Sequence, residues 1–348
     1  MPVNSCWEKN SLLVLGIETS CDESSAAVVR DGKELLSNVV ATQIEIHRQY
    51  MGVVPEIASR THVEWIKGVV KKALEEAGTP LEKIDGIAVT NRPGLSGSLL
   101  VGLSFAKGLS FSTGKPFAAV DHMLAHIYAA HLENNIEYPY VGLLVSGGHT
   151  IIAVIRSHDD MEILGTTIDD ACGEAFDKVA KYYNLGFPGG VVIDRLSAKG
   201  DPKAFSFPDP SLHKGEHKYD VSYSGLKTAV INQLDQFHNS GYEKSPENIA
   251  ASFQKAAIDM LMRRLNKAVS DTGITTVVTG GGVAANSYLR ESLSGLKGVK
   301  VFSPSLKLCG DNGAMIAGLG YHYLKNNLTS PLSVTVSPRV TGFRKTYP

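Results

Sequence analysis

Apolar residues in this chain fall mainly into short runs of five to seven, broken by polar and glycine-rich turns, with longer stretches of helical spacing between them. Leu12 to Ile17 predicts a strand, Glu18 to Ser25 a polar turn, and Ala26 to Arg30 a second strand ahead of Asp31-Gly32. From Val141 the arrangement recurs: a mostly apolar strand, the turn Ser146-Gly147-Gly148-His149-Thr150, then a β-branched strand. Two such strand-turn-strand units about 130 residues apart are the imprint of a duplicated domain with a ligand between its halves.

The other segments read as a parallel α/β architecture. A third strand is expected near Leu35 to Ala41 and a helix from His47 to Leu74, whose Arg60, His62, Lys67, Lys71 and Lys72 read as a solvated face. The strand Ile84 to Thr90 leads through the loop Asn91 to Gly97 into a helix from Ser98 to Ser112, and a short strand follows at Phe117 to Val120. Downstream, helices are predicted over His122 to Leu132, Ile168 to Asn184, Thr228 to Phe237, Ser245 to Asp271, Val283 to Ser292 and Ala314 to Leu324. Strands are predicted over Ile274 to Thr279 and Val299 to Ser303.

Candidate chemistry collects in the turns and at helix starts. Adjacent Gly147 and Gly148 reach positive φ at little cost and carry no Cβ, so a phosphate or carboxylate can approach the backbone N–H groups. Phe187-Pro188-Gly189-Gly190 ahead of Val191 to Asp194, and Gly280-Gly281-Gly282 ahead of Asn286, offer two more such approaches at helix N-termini. Neither matches a dinucleotide fingerprint or a P-loop. In the helix from Ile168, Ala171, Cys172, Ala175, Val179 and Tyr182 mark an inner side. Asp170, Glu174 and Asp177 stack on the other, either as a solvated face or, in a cleft, as groups for ribose hydroxyls. His122 and His126, four apart, lie on one helix face about 6 Å from each other, a spacing that lets two imidazoles hold one metal ion. His131 points elsewhere, and with no glutamate beside His122 the base of a zincin protease is missing. Asp311, ahead of the last helix, reads either as its N-cap or as a third ligand.

Composition adds little direction. The 348 residues suit two domains, and a net charge of −1 leaves any nucleic-acid binding to local charge segregation. The loop-rich stretch 195–227, with six Lys or Arg against four Asp or Glu, reads as either an RNA-facing insertion or a surface excursion. Cys6, Cys21, Cys172 and Cys309 form no C-x-x-C pair and read as free thiols of a reducing compartment. No apolar run approaches the roughly 18 residues of a membrane span, and the first ten residues lack the character of a secretory or transit peptide. A cytoplasmic protein is expected.

Eight segments, in order, resemble one family: LGIETSCDESSAAVV from Leu15, GVVPEIASR from Gly52, HMLAH from His122, LLVSGGHT from Leu143, IDDACGEAFDKVAK from Ile168, FPGG from Phe187, TGGGVAAN from Thr279 and CGDNGAMIA from Cys309. The family is that of the tRNA N6-adenosine threonylcarbamoyltransferases, once labelled O-sialoglycoprotein endopeptidases, and the wording resembles its bacterial branch. The resemblance runs from Leu12 to Leu324; the departures are the N-terminal extension and Cys172, where a small residue is usual. It implies an actin-like, sugar-kinase-like α/β fold of two ribonuclease-H-like lobes around a nucleotide cleft. An extension at 1–11, lobes at 12–120 and 121–325 and a tail at 326–348 are expected, with the last helix free to pack back on the first lobe.

The implied reaction moves threonylcarbamoyl from threonylcarbamoyl-AMP to N6 of the adenosine beside the anticodon in tRNAs that read codons beginning with A. Matching positions imply His122, His126 and Asp311 as ligands of one divalent ion, iron or zinc, and so as the catalytic residues. Leu144, Val145, Ser146, Gly147, Gly148, Asp177, Gly190, Asp194 and Asn286 are implied as binders of ATP or the adenylate. The ion would act as a Lewis acid while the Ser146 to His149 backbone steadies developing charge. Implied partners are tRNA, an inactive paralogue that pairs through the first lobe, and a small P-loop ATPase. An actin-fold small-molecule kinase is the alternative. A metalloprotease lacks its base, and a non-catalytic scaffold would not need the two histidines with Asp311.

Overall fold

The computed structural model describes residues 11–209, 215–236 and 245–339, and their contacts divide them into two compact units. The first unit holds the described residues through Ile136 together with those from Pro304 on; the second spans Glu137–Ser303. The predicted boundary near residue 120 is therefore displaced. The helix after it is buried against the final helix of the first unit, a contact no local pattern announces.

The first unit is built on a five-stranded sheet in the order β3-β2-β1-β4-β5, from β1 (Leu13–Glu18), β2 (Glu23–Arg30), β3 (Glu34–Thr42), β4 (Gly86–Arg92) and β5 (Phe117–Asp121). β1 runs antiparallel to β2 and parallel to β4, so it is central and apolar on both faces. Leu15 and Ile17 pack with Ile66, Val70 and Leu103 from α2 (Pro55–Glu76) and α3 (Ser96–Thr113). Gly16, on the opposite face by the alternation of a strand, meets α11 (Gly313–Lys325).

The single helix expected from His47 to Leu74 is broken. A short α1 (Ile44–Arg48) ends before residues 49–54, where Met51 has φ 54° and Val54 is extended ahead of Pro55 at the start of α2. His62 is also not on a solvated face. It is fully buried, with Nδ1 at 2.6 Å from Ser24 Oγ and Nε2 at 2.9 Å from the Cys21 carbonyl. The expected tail is tied down: Ser330 N–H donates to Phe117 O, Ser337 N–H donates to Asn91 O, and Val334 and Val336 pack on the core.

α4 (His122–Tyr128), with a 3-10 turn after it, and the short α10 (Leu306–Cys309) complete the first unit. Asn312, and not Asp311, caps α11: its Oδ1 accepts from Met315 N–H at 3.0 Å, and its amide donates to the carbonyls of Gly310 and Leu308. Asn312→Ala should therefore cost about 1–2 kcal/mol of stability, the upper range for a lost cap, read as a shift in urea midpoint at unchanged m-value.

The second unit repeats the plan. Its sheet, β10-β9-β6-β7-β8, places β6 (Tyr140–Val145) centrally, antiparallel to β7 (Thr150–Ile155) and parallel to β9 (Thr276–Gly280), with β8 (Met161–Thr166) and β10 (Lys300–Phe302) at the edges. Read outward from each hairpin, the two sheets have the same order, the duplication expected from the repeated turns. α5 (Cys172–Tyr182), α6 (Gly189–Ser197), α7 (Tyr223–Gln236), α8 (Pro246–Thr272) and α9 (Ser287–Ser294) complete it. Residues 210–214, inside the loop-rich stretch, lie outside the described residues, as do Cys6 and the N-terminal extension up to residue 10.

Two predicted helices start later than expected. The segment 168–171 is not helical, because Cys172 N–H donates to Thr150 Oγ1 and Gly173 N–H donates to Ser146 O, which sets the start of α5 against the β6–β7 turn. Tyr182, read as inward, is 50% exposed, while Phe176 is buried against Phe253. In place of one helix from Val283, a 3-10 turn over Gly282–Ala285 precedes α9, and Asn286 caps α9 through Leu289 N–H.

Candidate functional site

In the first unit, Asp121 ends β5 and caps α4 by accepting from Met123 N–H and Leu124 N–H, with Arg92 Nε donating to its other oxygen. That cap fixes the first turn of α4 and with it both histidines. His122 and His126 are buried, and their rings stand edge to face at 4.5 Å. Asp311 arrives from the segment before α11, its Oδ1 3.0 Å from His126 Nε2 and 3.7 Å from His122 Nε2. The three donor atoms all lie within 4.8 Å of one another. His131 is turned away and stacks on Tyr128.

This donor set fits a divalent transition metal. Two imidazole nitrogens and one carboxylate oxygen suit iron or zinc and leave coordination positions open for a substrate. His126 stays neutral, because burial and then the charge of His122 lower its pKa, so its lone pair is available. Its Nδ1 is buried with no hydrogen-bond partner among the described residues. His122 behaves oppositely. Burial alone would favour its neutral form, but the Glu18 and Asp311 carboxylates outweigh that and push it up to about 9. Glu18 answers in kind: burial raises its pKa, and the charge and hydrogen bond of His122 bring it below the usual value.

Glu18 was not among the residues singled out from sequence. It is wholly buried at the end of β1, with Oε2 3.0 Å from His122 Nδ1, and Ser20 Oγ lies 3.2 Å from the same nitrogen. A carboxylate closing an otherwise apolar central strand, in Leu15-Gly16-Ile17-Glu18, was the available signal.

The second unit brings the remaining candidates into a chain of contacts. The Ser146 to His149 turn closes on itself, with Ser146 N–H donating to His149 O and His149 N–H donating to Ser146 Oγ. Gly147 and Gly148 are exposed on it, yet neither needs a positive φ. That requirement falls on Gly281, at φ +91°, where a Cβ would come within 2.3 Å of Val145 O. Leu144 and Val145 are fully buried, side chain and backbone alike. Asp177 on α5 accepts from Gly189 N–H at 2.6 Å and fixes the start of α6, while the Cα of Gly190 faces open space. Asp194 on α6 accepts from Asn286 Nδ2, Ser287 N–H and Ser287 Oγ, and Asn286 also donates to Gln254 Oε1. The three-carboxylate stack does not form. Asp170 lies ahead of α5 and is paired with Lys178 and Lys227, and Glu174 pairs with Lys178. Cys21, Cys172 and Cys309 are free thiols, as expected.

The solved structures this chain is similar to include HypF from T. kodakarensis, at 16% identity and a TM-score of 0.62 over 90% of this chain and 48% of that one. Component A of (R)-2-hydroxyglutaryl-CoA dehydratase from Acidaminococcus fermentans matches at 16% identity and a TM-score of 0.55, covering 89% and 98%. These likenesses show the fold alone, which is the actin-like, sugar-kinase-like α/β fold. No helix among the described residues is long and apolar enough to cross a membrane.

Sequence comparison is more specific. A protein named tRNA N6-adenosine threonylcarbamoyltransferase from Treponema denticola is 66% identical over 332 residues, covering 95% of this chain and 98% of that protein. One of the same name from Borrelia garinii subsp. bavariensis is 54% identical over 335 residues, covering 96% and 98%. None of these names supports the small-molecule-kinase alternative. The model of the TsaD family, described as tRNA N6-adenosine threonylcarbamoyltransferase, matches residues 34–318, and the chain therefore belongs to this family of tRNA-modifying enzymes.

Proposed function

We propose that this enzyme transfers threonylcarbamoyl from threonylcarbamoyl-AMP to N6 of the adenosine beside the anticodon, in tRNAs that read codons beginning with A. One divalent ion, iron or zinc, is held by His122, His126 and Asp311. The observation that carries the reading is the convergence of these three donors, two of them buried and the third, 185 residues from His126 in sequence, partly so, on one point.

A bound ion there supplies Lewis acidity toward a phosphate or carbamoyl oxygen. The chain's own residues handle the nucleotide. Gly147, Gly148 and Gly190 bare their backbone N–H groups to phosphate, and the Ser146 turn and α6 start are held rigid by Gly173 and Asp177. Asp194 and Asn286, held by Gln254 and Ser287, present polar groups to the adenylate. In the transfer, the C–N6 bond forms, the carbamoyl–phosphate C–O bond breaks, and AMP leaves, its phosphate taking up the proton that N6 loses. The acyl group arrives activated, so orientation of amine and carbonyl supplies much of the rate. Exposed Val63 on α2 and Leu100 on α3 support pairing of the first unit with an inactive paralogue, and a small P-loop ATPase completes the system.

The test is mass spectrometry of nucleosides from tRNA incubated with threonine, bicarbonate, ATP and the partner proteins. Modified adenosine should appear only in tRNAs that read codons beginning with A, and none with the wild-type chain ends the proposal. In a separate titration, Asp194→Ala should weaken binding of a non-hydrolysable adenylate by about 10- to 100-fold, since losing a charged hydrogen-bond partner costs roughly 1.5–3 kcal/mol. Unchanged affinity by titration calorimetry would remove Asp194 from the nucleotide site.

A further inference from the structure

We infer that Glu18 is a positioning residue for the metal centre: it fixes the ring and tautomer of His122 so that Nε2 carries the lone pair toward Asp311. The inference rests on the metal reading above and concerns a residue outside the ligand set.

The geometry is over-determined on the Glu18 side. Thr90 Oγ1, from the neighbouring strand β4, donates to Oε2, and Ser20 N–H donates to Oε1, so the carboxylate cannot rotate away. Oε2, wholly buried with its residue, then sits 3.0 Å from His122 Nδ1. A buried carboxylate oxygen facing a ring nitrogen keeps the proton on that nitrogen. Nδ1–H donates to Glu18, and the opposite nitrogen, 3.7 Å from Asp311 Oδ1, binds a cation by giving up its own proton. Histidines that bind metals commonly donate their second N–H to a carboxylate in this way, which orients the ring and raises its basicity, and removing the partner typically lowers metal affinity 10- to 100-fold. His126 has no such support, because its Nδ1 is without a hydrogen-bond partner among the described residues. The burden of orientation therefore falls on His122.

The plain alternative is a buried ion pair that serves stability only, and a double-mutant cycle separates the two. Zn2+ and Co2+ affinities are measured by competition with a chromophoric chelator for wild type, Glu18→Gln, His122→Ala and the double variant, with thermal melts alongside. Glu18→Gln keeps the shape and should retain the fold while binding either ion about 10- to 100-fold more weakly, with an altered Co2+ d–d spectrum. In the His122→Ala background the same change should cost less than about twofold, because its effect passes through that ring. Affinity within twofold of wild type for Glu18→Gln, or an equal loss with and without His122, overturns the inference and leaves the metal reading standing. Failure of the wild-type chain to bind either ion overturns the metal reading, and this inference with it.

Discussion

His126→Ala should leave a folded protein that binds the adenylate with wild-type affinity, holds no stoichiometric metal, and forms threonylcarbamoyl-adenosine about 10²–10⁴-fold more slowly. The magnitude follows from Lewis acidity worth several kcal/mol of transition-state stabilisation, at about 1.4 kcal/mol per factor of ten. The prediction is local because His126 is 1% exposed and its Nε2 meets Asp311 at 3.0 Å, whereas the candidate nucleotide contacts all belong to the other unit. Elemental analysis, adenylate titration and single-turnover nucleoside mass spectrometry together check it. Equal product from wild type and variant would remove the metal from the reaction. Equal loss of adenylate binding and rate would mean that the substitution had acted through structure.

Gly16→Val should be the most damaging single change in the first unit, with more than about 4 kcal/mol of destabilisation and little soluble protein. A Cβ at Gly16 would lie 2.1 Å from Gly313 O and 2.5 Å from Ala317 N, both backbone atoms of α11, so no side chain can rotate to make room. α11 would have to lift from the sheet. Gly313 is itself seated against the backbone of Ala26 and Ala27, where a Cβ would come within 2.7 Å, and donates its N–H to Ser25 Oγ, so the helix start cannot slide instead. Even Gly16→Ala should reduce metal affinity, because the segment that presents Asp311 leads directly into that helix. The contrasting control is Gly147→Ala, where a Cβ meets nothing within 4 Å and the melting temperature should hold. Urea unfolding of the two alanine variants, with metal titration of Gly16→Ala, decides the matter.

Much of the fold was legible along the chain. Strand periodicity located most strands to within a residue or two, but β2 begins at Glu23, inside the expected polar turn, and the edge strand β8 was not predicted; the two hairpins identified the duplication because a turn between strands is encoded locally. Helix ends were less legible. Pro55 cut one helix, and a hydrogen bond from Cys172 N–H to Thr150, outside the helix, delayed another. Likewise, the glycines of the Ser146 turn were read as sites of positive φ, but the close approach of Val145 O assigns that conformation to Gly281.

The site divides along the same line. The pairing of His122 with His126 on one face follows from helical pitch and needs nothing beyond four residues of spacing. Whether Asp311 capped a helix or faced a metal was open in the sequence. Asn312 took the cap, which turned the neighbouring carboxylate toward the histidines. Glu18 and Ser20 met His122, and Thr90 met Glu18, only because β1, β4 and β5 are neighbours in one sheet. The chain alone determined its elements, its duplication and the imidazole pair, since each depends on backbone geometry over a few residues. The tertiary structure decided which carboxylates meet that pair, since this depends on how closely α11 seats on β1 at Gly16 and Gly313, and no periodicity spans the nearly three hundred residues between them.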